Sequence, residues 1–173
     1  MSINTDKEIG KLWLGATQIG KAYFGQSLVY TAQTQFYPDT QPIKHYSKGA
    51  ITLENFTVTR PAYREAYAVY YIPVDLSDCD VLAVKGVLCG YVAISLTDVL
   101  PAASAKGASN MVFSKHPCVW RQAMKSTGKD TMDIDATVDV KNLSGVHYLV
   151  VAIYGSNITL PQSYVAITQV TGQ

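Results

Sequence analysis

Charged residues are scarce in this sequence. Asp, Glu, Lys and Arg make up 16% of the 173 residues, and the net charge is +1, whereas ordinary soluble domains contain about 25% charged residues. The near-neutral balance argues against the basic surface of a general nucleic-acid binder. Because 48% of the residues are hydrophobic, the chain is expected to fold, and its length fits one domain with a small appendage.

Cysteine is equally sparse. The three cysteines, Cys79, Cys89 and Cys118, are an odd number and show no CxxC spacing. This pattern argues against a disulfide framework and against a zinc site. We expect small buried thiols in a reducing compartment.

Catalytic signatures are also lacking, because the sequence has no GxSxG, HExxH or P-loop motif. The three histidines, His45, His116 and His147, lie far apart. We expect His147, which lies in an apolar strand, to be a hydrogen-bonded buried imidazole. Cys118 with His116 is the alternative for a nucleophile and its base, since such pairs form in space rather than in sequence. We predict no enzyme, no catalytic residue and no cofactor.

Two loose groups of aspartates are the candidates for a metal site. They are Asp75, Asp78 and Asp80, and Asp130, Asp133, Asp135 and Asp139. Asp133 and Asp135 would share one face of a strand, and hard cations such as Ca²⁺ bind several oxygen ligands. The other interpretation, a solvated strand face with turn-forming aspartates, is the one that we predict, so no bound metal is expected.

Long apolar segments are missing from the chain. Asp6 and Glu8 lie where a secretory signal would need an apolar run, and no such run approaches the ~20 residues that a bilayer requires. We expect neither a signal peptide nor membrane insertion. The last 32 residues, Asn142–Gln173, contain no Asp, Glu, Lys or Arg. We interpret Val146–Val170 as core or subunit interface, with alternate side chains facing inward.

A short internal repeat is present near the start of the chain. Residues 9–17 read IGKLWLGAT and residues 19–27 read IGKAYFGQS. A period of ten is too short for a helical repeat and fits a strand followed by a glycine turn. We predict strands over 9–14, 18–24 and 28–31. About 31 residues cannot bury a sufficient core alone, so this segment must dock on the rest of the chain, on copies of itself or on a larger assembly.

The remainder of the chain has β character. Residues 32–42 are polar, contain two prolines and predict a linker. From Ile43 onward the apolar period is two, with turn residues between nine candidate strands. These are Ile51–Leu53, Phe56–Arg60, Ala66–Val74, Val81–Lys85, Tyr91–Leu96, Asn110–Phe113, Thr131–Val140, Val146–Tyr154 and Tyr164–Val170. We predict an all-β fold, with a short N-terminal β-meander before an antiparallel β-sandwich of jelly-roll type over 43–173. A short helix over Pro117–Lys125 is a local alternative.

Tyrosine is unusually frequent, with 12 residues, and Tyr63, Tyr67, Tyr70 and Tyr71 fall within nine positions. Strand alternation places Tyr67 and Tyr71 on one face and Tyr70 on the other. A tyrosine ring offers a flat apolar surface with a hydrogen-bonding tip, which suits protein interfaces and sugar rings. We therefore take Tyr63, Tyr67 and Tyr71 as candidate ligand-binding residues. The alternative is ordinary packing in a sheet, where tyrosine is favoured.

The segment IGKLWLGATQIGKAYFGQSLVY resembles a module near the N-termini of tail, baseplate and head-fibre proteins of phages from gut and related bacteria. The residues that carry the resemblance are Lys11, Trp13, Leu14, Gly15, Lys21, Tyr23, Phe24, Gly25, Leu28, Val29 and Tyr30. The phrases YYIPVDLSDCDVLAVKG and ATVDVKNLSGVHYLVVAIYG are similar to β-sandwich domains of such virion proteins, which often look like carbohydrate-binding modules.

This resemblance implies a phage virion structural protein, namely a fibre, tail-tip or capsid-decoration component, made in the bacterial host cytoplasm. Residues 1–31 would be the anchor and oligomerisation module, in which the residues named above make the assembly contacts. Residues 43–173 would be a head that folds without them. The implied partners are other virion proteins and copies of this chain, with a trimer favoured, and no nucleic acid. The alternative is a glycan-binding adhesion module for host-surface polysaccharide.

Overall fold

The computed structural model describes residues 33–156 and 162–173 in full and, before them, the backbone of four short strands. These strands are β1 (Leu12–Leu14), β2 (Thr17–Ile19), β3 (Lys21–Phe24) and β4 (Ser27–Thr31). β1 pairs with β2 and β3 pairs with β4, as two separate antiparallel hairpins. The single strand predicted over 18–24 is wrong, because β2 and β3 belong to different hairpins.

Several residues of the predicted anchor lie outside the described residues. They are residues 9–11 of the first predicted strand, which include Lys11, together with Gly15 and Gly25. For the other predicted assembly residues the structure describes the backbone alone, so their role in assembly stays a prediction.

The fully described residues, 33–156 and 162–173, form eleven strands and one helix. They are β5 (Thr34–Tyr37), β6 (Ile43–Lys48), β7 (Thr52–Glu54), β8 (Thr57–Arg60), β9 (Ala66–Asp75), β10 (Val81–Cys89), β11 (Tyr91–Thr97), α1 (Ala105–Val112), β12 (Trp120–Lys125), β13 (Thr131–Asp139), β14 (Val146–Gly155) and β15 (Ser163–Gly172). Eight of the nine predicted strands of this region match one of these elements closely, with ends that differ by a few residues.

Two antiparallel sheets pack face to face, which confirms the predicted β-sandwich. Sheet I has the order β13–β10–β15–β8–β7, and β5 also pairs with β15. Sheet II has the order β12–β11–β14–β9–β6. Their facing sides form one continuous hydrophobic core. Its fully buried members include Val58, Leu82 and Val165 from sheet I, and Ile94 and Val151 from sheet II.

The helix α1 covers the outer face of sheet II. Ser104 begins it as N-cap, because its side chain accepts a hydrogen bond from the Gly107 N–H at 3.1 Å. Ala108, Met111 and Val112 pack from α1 onto the sheet and form a second hydrophobic cluster there. The strand predicted over Asn110–Phe113 is therefore wrong, since these residues complete a helical turn.

The linker predicted over residues 32–42 contains a strand at residues 34–37. They form β5, which pairs with the end of β15, and both Phe36 and Tyr37 are buried in the core. The Tyr37 hydroxyl accepts a hydrogen bond from the Phe56 N–H at 3.0 Å. The segment 32–42 is thus a linker in composition only, because two adjacent aromatic side chains tie it to the sandwich.

The helical alternative over Pro117–Lys125 is also wrong. Residues 120–125 form β12, the edge strand of sheet II, with Trp120 opposite Leu96 and Met124 opposite Val92. Trp120 and Met124 lie four positions apart and therefore share a face in a strand as well as in a helix. Both side chains pack against the core between the sheets.

Candidate ligand-binding surfaces

The outer face of sheet II is rich in aromatic side chains, which we call the aromatic face. Its members are Tyr46, Tyr67, Tyr71, Tyr91, Tyr148, Tyr154 and, from the residue after α1, Phe113. The predicted alternation is confirmed, because Tyr67 and Tyr71 lie on this face whereas Tyr70 points into the core between the sheets.

Edge-to-face contacts join these rings into two groups. At one end, the Tyr154 ring centroid lies 5.4 Å from that of Tyr67 and 5.2 Å from that of Phe113. At the other end, the Tyr71 centroid lies 5.4 Å from that of Tyr148 and 6.0 Å from the His45 ring. Such geometry is favourable between aromatic rings, so these rings already contact one another.

Tyr67 is a packing residue in this arrangement. It is 8% exposed, and its neighbours on the sheet lie under α1. Burial raises the pKa of its hydroxyl, and the nearby Glu65 carboxylate adds to the rise. Tyr71 is half-buried. Of the two, only Tyr71 has a ring surface that a ligand could reach.

Tyr63 lies apart from both, in the loop that joins β8 to β9. It is 68% exposed, and no aromatic contact links it to Tyr67 or Tyr71 among the fully described residues. Its backbone φ is +56°, in the left-handed region. A bulky residue rarely adopts that conformation, which costs about 1–3 kcal/mol unless surrounding contacts enforce it. The structure therefore divides the three candidate tyrosines between two surfaces.

Three contacts fix the Tyr63 loop in place. Arg60 is fully buried, and its Nη1 donates a hydrogen bond to the Arg64 carbonyl oxygen at 2.8 Å. Lys48 Nζ lies 3.5 Å from Glu65 Oε1. Gly49, at φ +81°, approaches the Glu65 carbonyl so closely that a Cβ there would overlap it. The loop is thus held from its base and from the neighbouring β6–β7 connection.

A shallow apolar groove lies beside this loop on the outer face of sheet I. Its volume is about 330 Å³. The described residues that line it are Ala50, Ile51, Thr52, Thr59, Pro61, Ala62 and Gln162. Thr52 and Thr59 lie directly opposite each other on β7 and β8. The sequence offered no signal for this groove, because its lining comes from three separate segments without a shared motif.

Replacement of Tyr63 by Gly is expected to stabilise the fold. Glycine adopts positive φ without steric cost, so relief of the backbone strain should add about 1 kcal/mol to the free energy of unfolding. In thermal unfolding this corresponds to a rise in Tm of about 2–4 °C. Tyr63→Ala is the matched control, since it removes the ring but retains the strain. Equal Tm values for the two variants would contradict a strained backbone at this position.

The three histidines bond to backbone carbonyl oxygens. His147 is 8% exposed, and its Nδ1 lies 3.3 Å from the Gly145 carbonyl oxygen, which confirms the expected buried, hydrogen-bonded imidazole. His45 Nε2 lies 2.8 Å from the Pro101 oxygen, and His116 Nε2 lies 2.7 Å from the Val99 oxygen. The His45 contact holds the loop before α1 against β6 of sheet II, and the His116 contact joins that loop to the connection after α1. No bond between His116 and Cys118 is seen.

All seven aspartates of the two groups are exposed, on strands or in the connections between them. Asp133 and Asp135 are exposed on β13, and Asp135 Oδ1 lies 3.8 Å from Lys85 Nζ. Asp75 accepts hydrogen bonds from the Ser77 hydroxyl and N–H, which lower the pKa of its carboxyl group. Asp139 is bonded likewise to Lys141. Within the described part of the chain, no three His, Cys, Asp or Glu side chains are grouped to hold a metal ion.

All three cysteines are free thiols, with Cys79 and Cys89 buried and Cys118 half-buried. Burial raises the pKa of Cys79, and the charges of Asp78, Asp75 and Asp80 raise it further. Burial also raises the pKa of Cys89, with a smaller effect from Asp130.

We expect iodoacetamide at pH 8 to modify Cys118 first. The thiolate is the reactive form, and the raised pKa values leave Cys79 and Cys89 mostly protonated at that pH, besides being shielded. Mass spectrometry of the alkylated peptides over time measures the order, and denaturation by urea should equalise the three rates. Modification of folded Cys79 as fast as that of Cys118 would be evidence against its burial.

Comparisons with protein-family models, with curated proteins and with solved structures find no match for this chain. The helix of the described residues is too short and too polar to cross a membrane.

Proposed function

We propose that this chain is a phage virion structural protein, a fibre, tail-tip or capsid-decoration component that attaches through its N-terminal hairpins and presents the β-sandwich. The observation that carries the proposal is the separation of the hairpins from the sandwich. β1–β2 and β3–β4 each form their own two-stranded sheet, outside sheets I and II. Both arise from the repeat that resembles the phage module.

Isolated two-stranded hairpins are marginally stable in water. The sequence of these hairpins nevertheless contains large apolar residues at matching places, such as Trp13 and Leu14 in one copy and Tyr23 and Phe24 in the other. Burial of such side chains contributes about 1.5–3 kcal/mol each. A surface that covers them, supplied by a virion socket or by further copies in a symmetric multimer, would stabilise the hairpins. Several copies acting together would bind far more firmly than one.

The test is mass spectrometry of purified particles of the phage that encodes the chain, together with light scattering on the isolated protein. We expect the protein in the particle and a multimer in solution. Trp13→Ser with Tyr23→Ser should abolish both properties and leave the thermal unfolding of the sandwich unchanged. Val119→Ser, a change at an exposed apolar residue elsewhere, is the control. Absence from the particle would refute the proposal.

A second function is favoured by the exposure of Tyr63. A tyrosine that is 68% exposed, on a loop fixed at both ends, suits the recognition of a flat apolar partner such as a sugar ring. We propose glycan binding at the host surface as this second function, compatible with the first. Binding to a glycan array tests it, because a purely structural decoration protein should bind no glycan.

A further inference from the structure

The groove beside Tyr63 has the size and the lining of a small-ligand site. Its volume of about 330 Å³ lies at the lower end of the usual range for such sites, roughly 300–1,000 Å³. Four of its seven described lining residues are apolar, namely Ala50, Ile51, Pro61 and Ala62. The other three are Thr52, Thr59 and Gln162, whose side chains carry hydroxyl and amide groups that can donate and accept hydrogen bonds.

The charge of the lining narrows the class of ligand. None of the described lining residues is charged, and the nearby Lys48 and Glu65 pair with each other at 3.5 Å. A phosphate, a sulfate or a charged peptide would therefore meet no opposite charge in the groove. A lipid chain would leave the hydroxyl and amide groups without partners, which is costly when water is displaced. A neutral sugar ring needs no opposite charge and can bond to the polar groups of the lining, because it has apolar C–H faces and hydroxyl groups around its edge.

Tyr63 adjoins the groove in the chain. It follows Ala62, a lining residue, directly, and the residue is 68% exposed. The bond from Arg60 to the Arg64 carbonyl and the close approach of Gly49 to Glu65 hold the loop before any ligand arrives. A rigid tyrosine loses little conformational freedom on binding.

We propose that this groove binds one neutral pyranose ring of a glycan, with the Tyr63 ring against its apolar face and Thr52, Thr59 and Gln162 bonded to its hydroxyl groups. The inference rests on the second of the proposed functions and assigns its site. It places the ligand on the outer face of sheet I, away from Tyr67 and Tyr71 on sheet II.

The experiment is saturation-transfer-difference NMR on the full chain with six neutral sugars: D-glucose, D-galactose, D-mannose, L-rhamnose, N-acetylglucosamine and N-acetylgalactosamine. This method detects weak binding and works with a large multimer. We expect transfer to the ring protons of at least one sugar. Tyr63→Ala and Ala62→Phe, which remove the ring and fill the groove, should each weaken binding about tenfold or more.

Two control variants carry changes outside the groove. Val119→Phe adds the same ring as Ala62→Phe at an exposed position elsewhere, and Tyr148→Phe alters the aromatic face. Both should bind sugar as the parent does. Undiminished binding in Tyr63→Ala and Ala62→Phe, or loss in Tyr148→Phe alone, would overturn the assigned site while glycan binding stands. Transfer to none of the six sugars would overturn the site and the second function together.

Discussion

Val151→Asp is expected to destabilise the fold severely. Val151 lies on β14 in the core between the sheets and is 0% exposed. A carboxylate there is surrounded by the apolar core and must either ionise in that environment or remain protonated at a cost in free energy. A loss of about 4–5 kcal/mol is comparable with the whole free energy of unfolding of many domains, about 5–15 kcal/mol. Ile153→Asp, on the same face, should behave likewise.

The control is Val146→Asp, which introduces the same charge into the same strand. Val146 is 53% exposed and lies opposite Asp75, so a loss within about 1 kcal/mol is expected from the like charges. Urea unfolding followed by circular dichroism measures the three variants against the parent. Similar midpoints for Val151→Asp and Val146→Asp would mean that β14 is not buried as described.

The second large loss of stability is expected from the removal of β5. A chain that starts at Ile43 lacks Phe36 and Tyr37, which are 7% and 6% exposed, whereas a chain that starts at Gln33 retains them. At about 1.5–3 kcal/mol for each buried aromatic side chain, the shorter chain should lose about 3–6 kcal/mol. It also lacks the acceptor for the Phe56 N–H and the strand that pairs with Val170–Gly172.

The chain that starts at Gln33 should be soluble and should unfold cooperatively, because both hairpins form sheets of their own. Urea midpoints of the two truncations, compared with the full chain, measure the effect. If the chain from Ile43 is as stable as the chain from Gln33, β5 contributes nothing to the sandwich. If the chain from Gln33 is molten, the first 32 residues belong to the fold, and the anchor proposal would have to be abandoned.

The sandwich could be predicted because its long strands alternate or are wholly apolar and are separated by turn residues. The helix could not. α1 contains Gly107, Ser109 and Asn110, which are poor helix formers, and it is too short to show a clear period. Gly107 is required there by packing, because a Cβ would overlap the Ala102 carbonyl oxygen. A tertiary contact therefore overrides local propensity in this segment.

The short strands were missed for two other reasons. In β5 both Phe36 and Tyr37 are buried, since the pairing with β15 shifts register between Val170 and Thr171, and this irregularity removes the alternation on which prediction relies. β6 is an edge strand with polar residues on both sides, and its sequence IKHYSK carries no apolar pattern. Among the candidate tyrosines, alternation separated Tyr70 correctly, but it carried no information about the loop around Tyr63.

Because α1 covers part of sheet II, it also restricts how the sequence of this protein can diverge. Alternate positions of β14 are closed on both sides, since Val150 and Ala152 are as fully buried under the helix as Val151 and Ile153 are between the sheets. From alternation alone, only the inward-facing residues of β14 are expected to be sensitive to substitution. The structure corrects this expectation, because both faces of the strand are buried. Neutral drift and the acquisition of new surface chemistry are then expected on β13 of sheet I, where every second residue faces water, on the exposed edge strand β6 and in the loops at the ends of the sandwich. Related chains should keep β9, β11 and β14 nearly constant while their β13 and their β8–β9 loops vary.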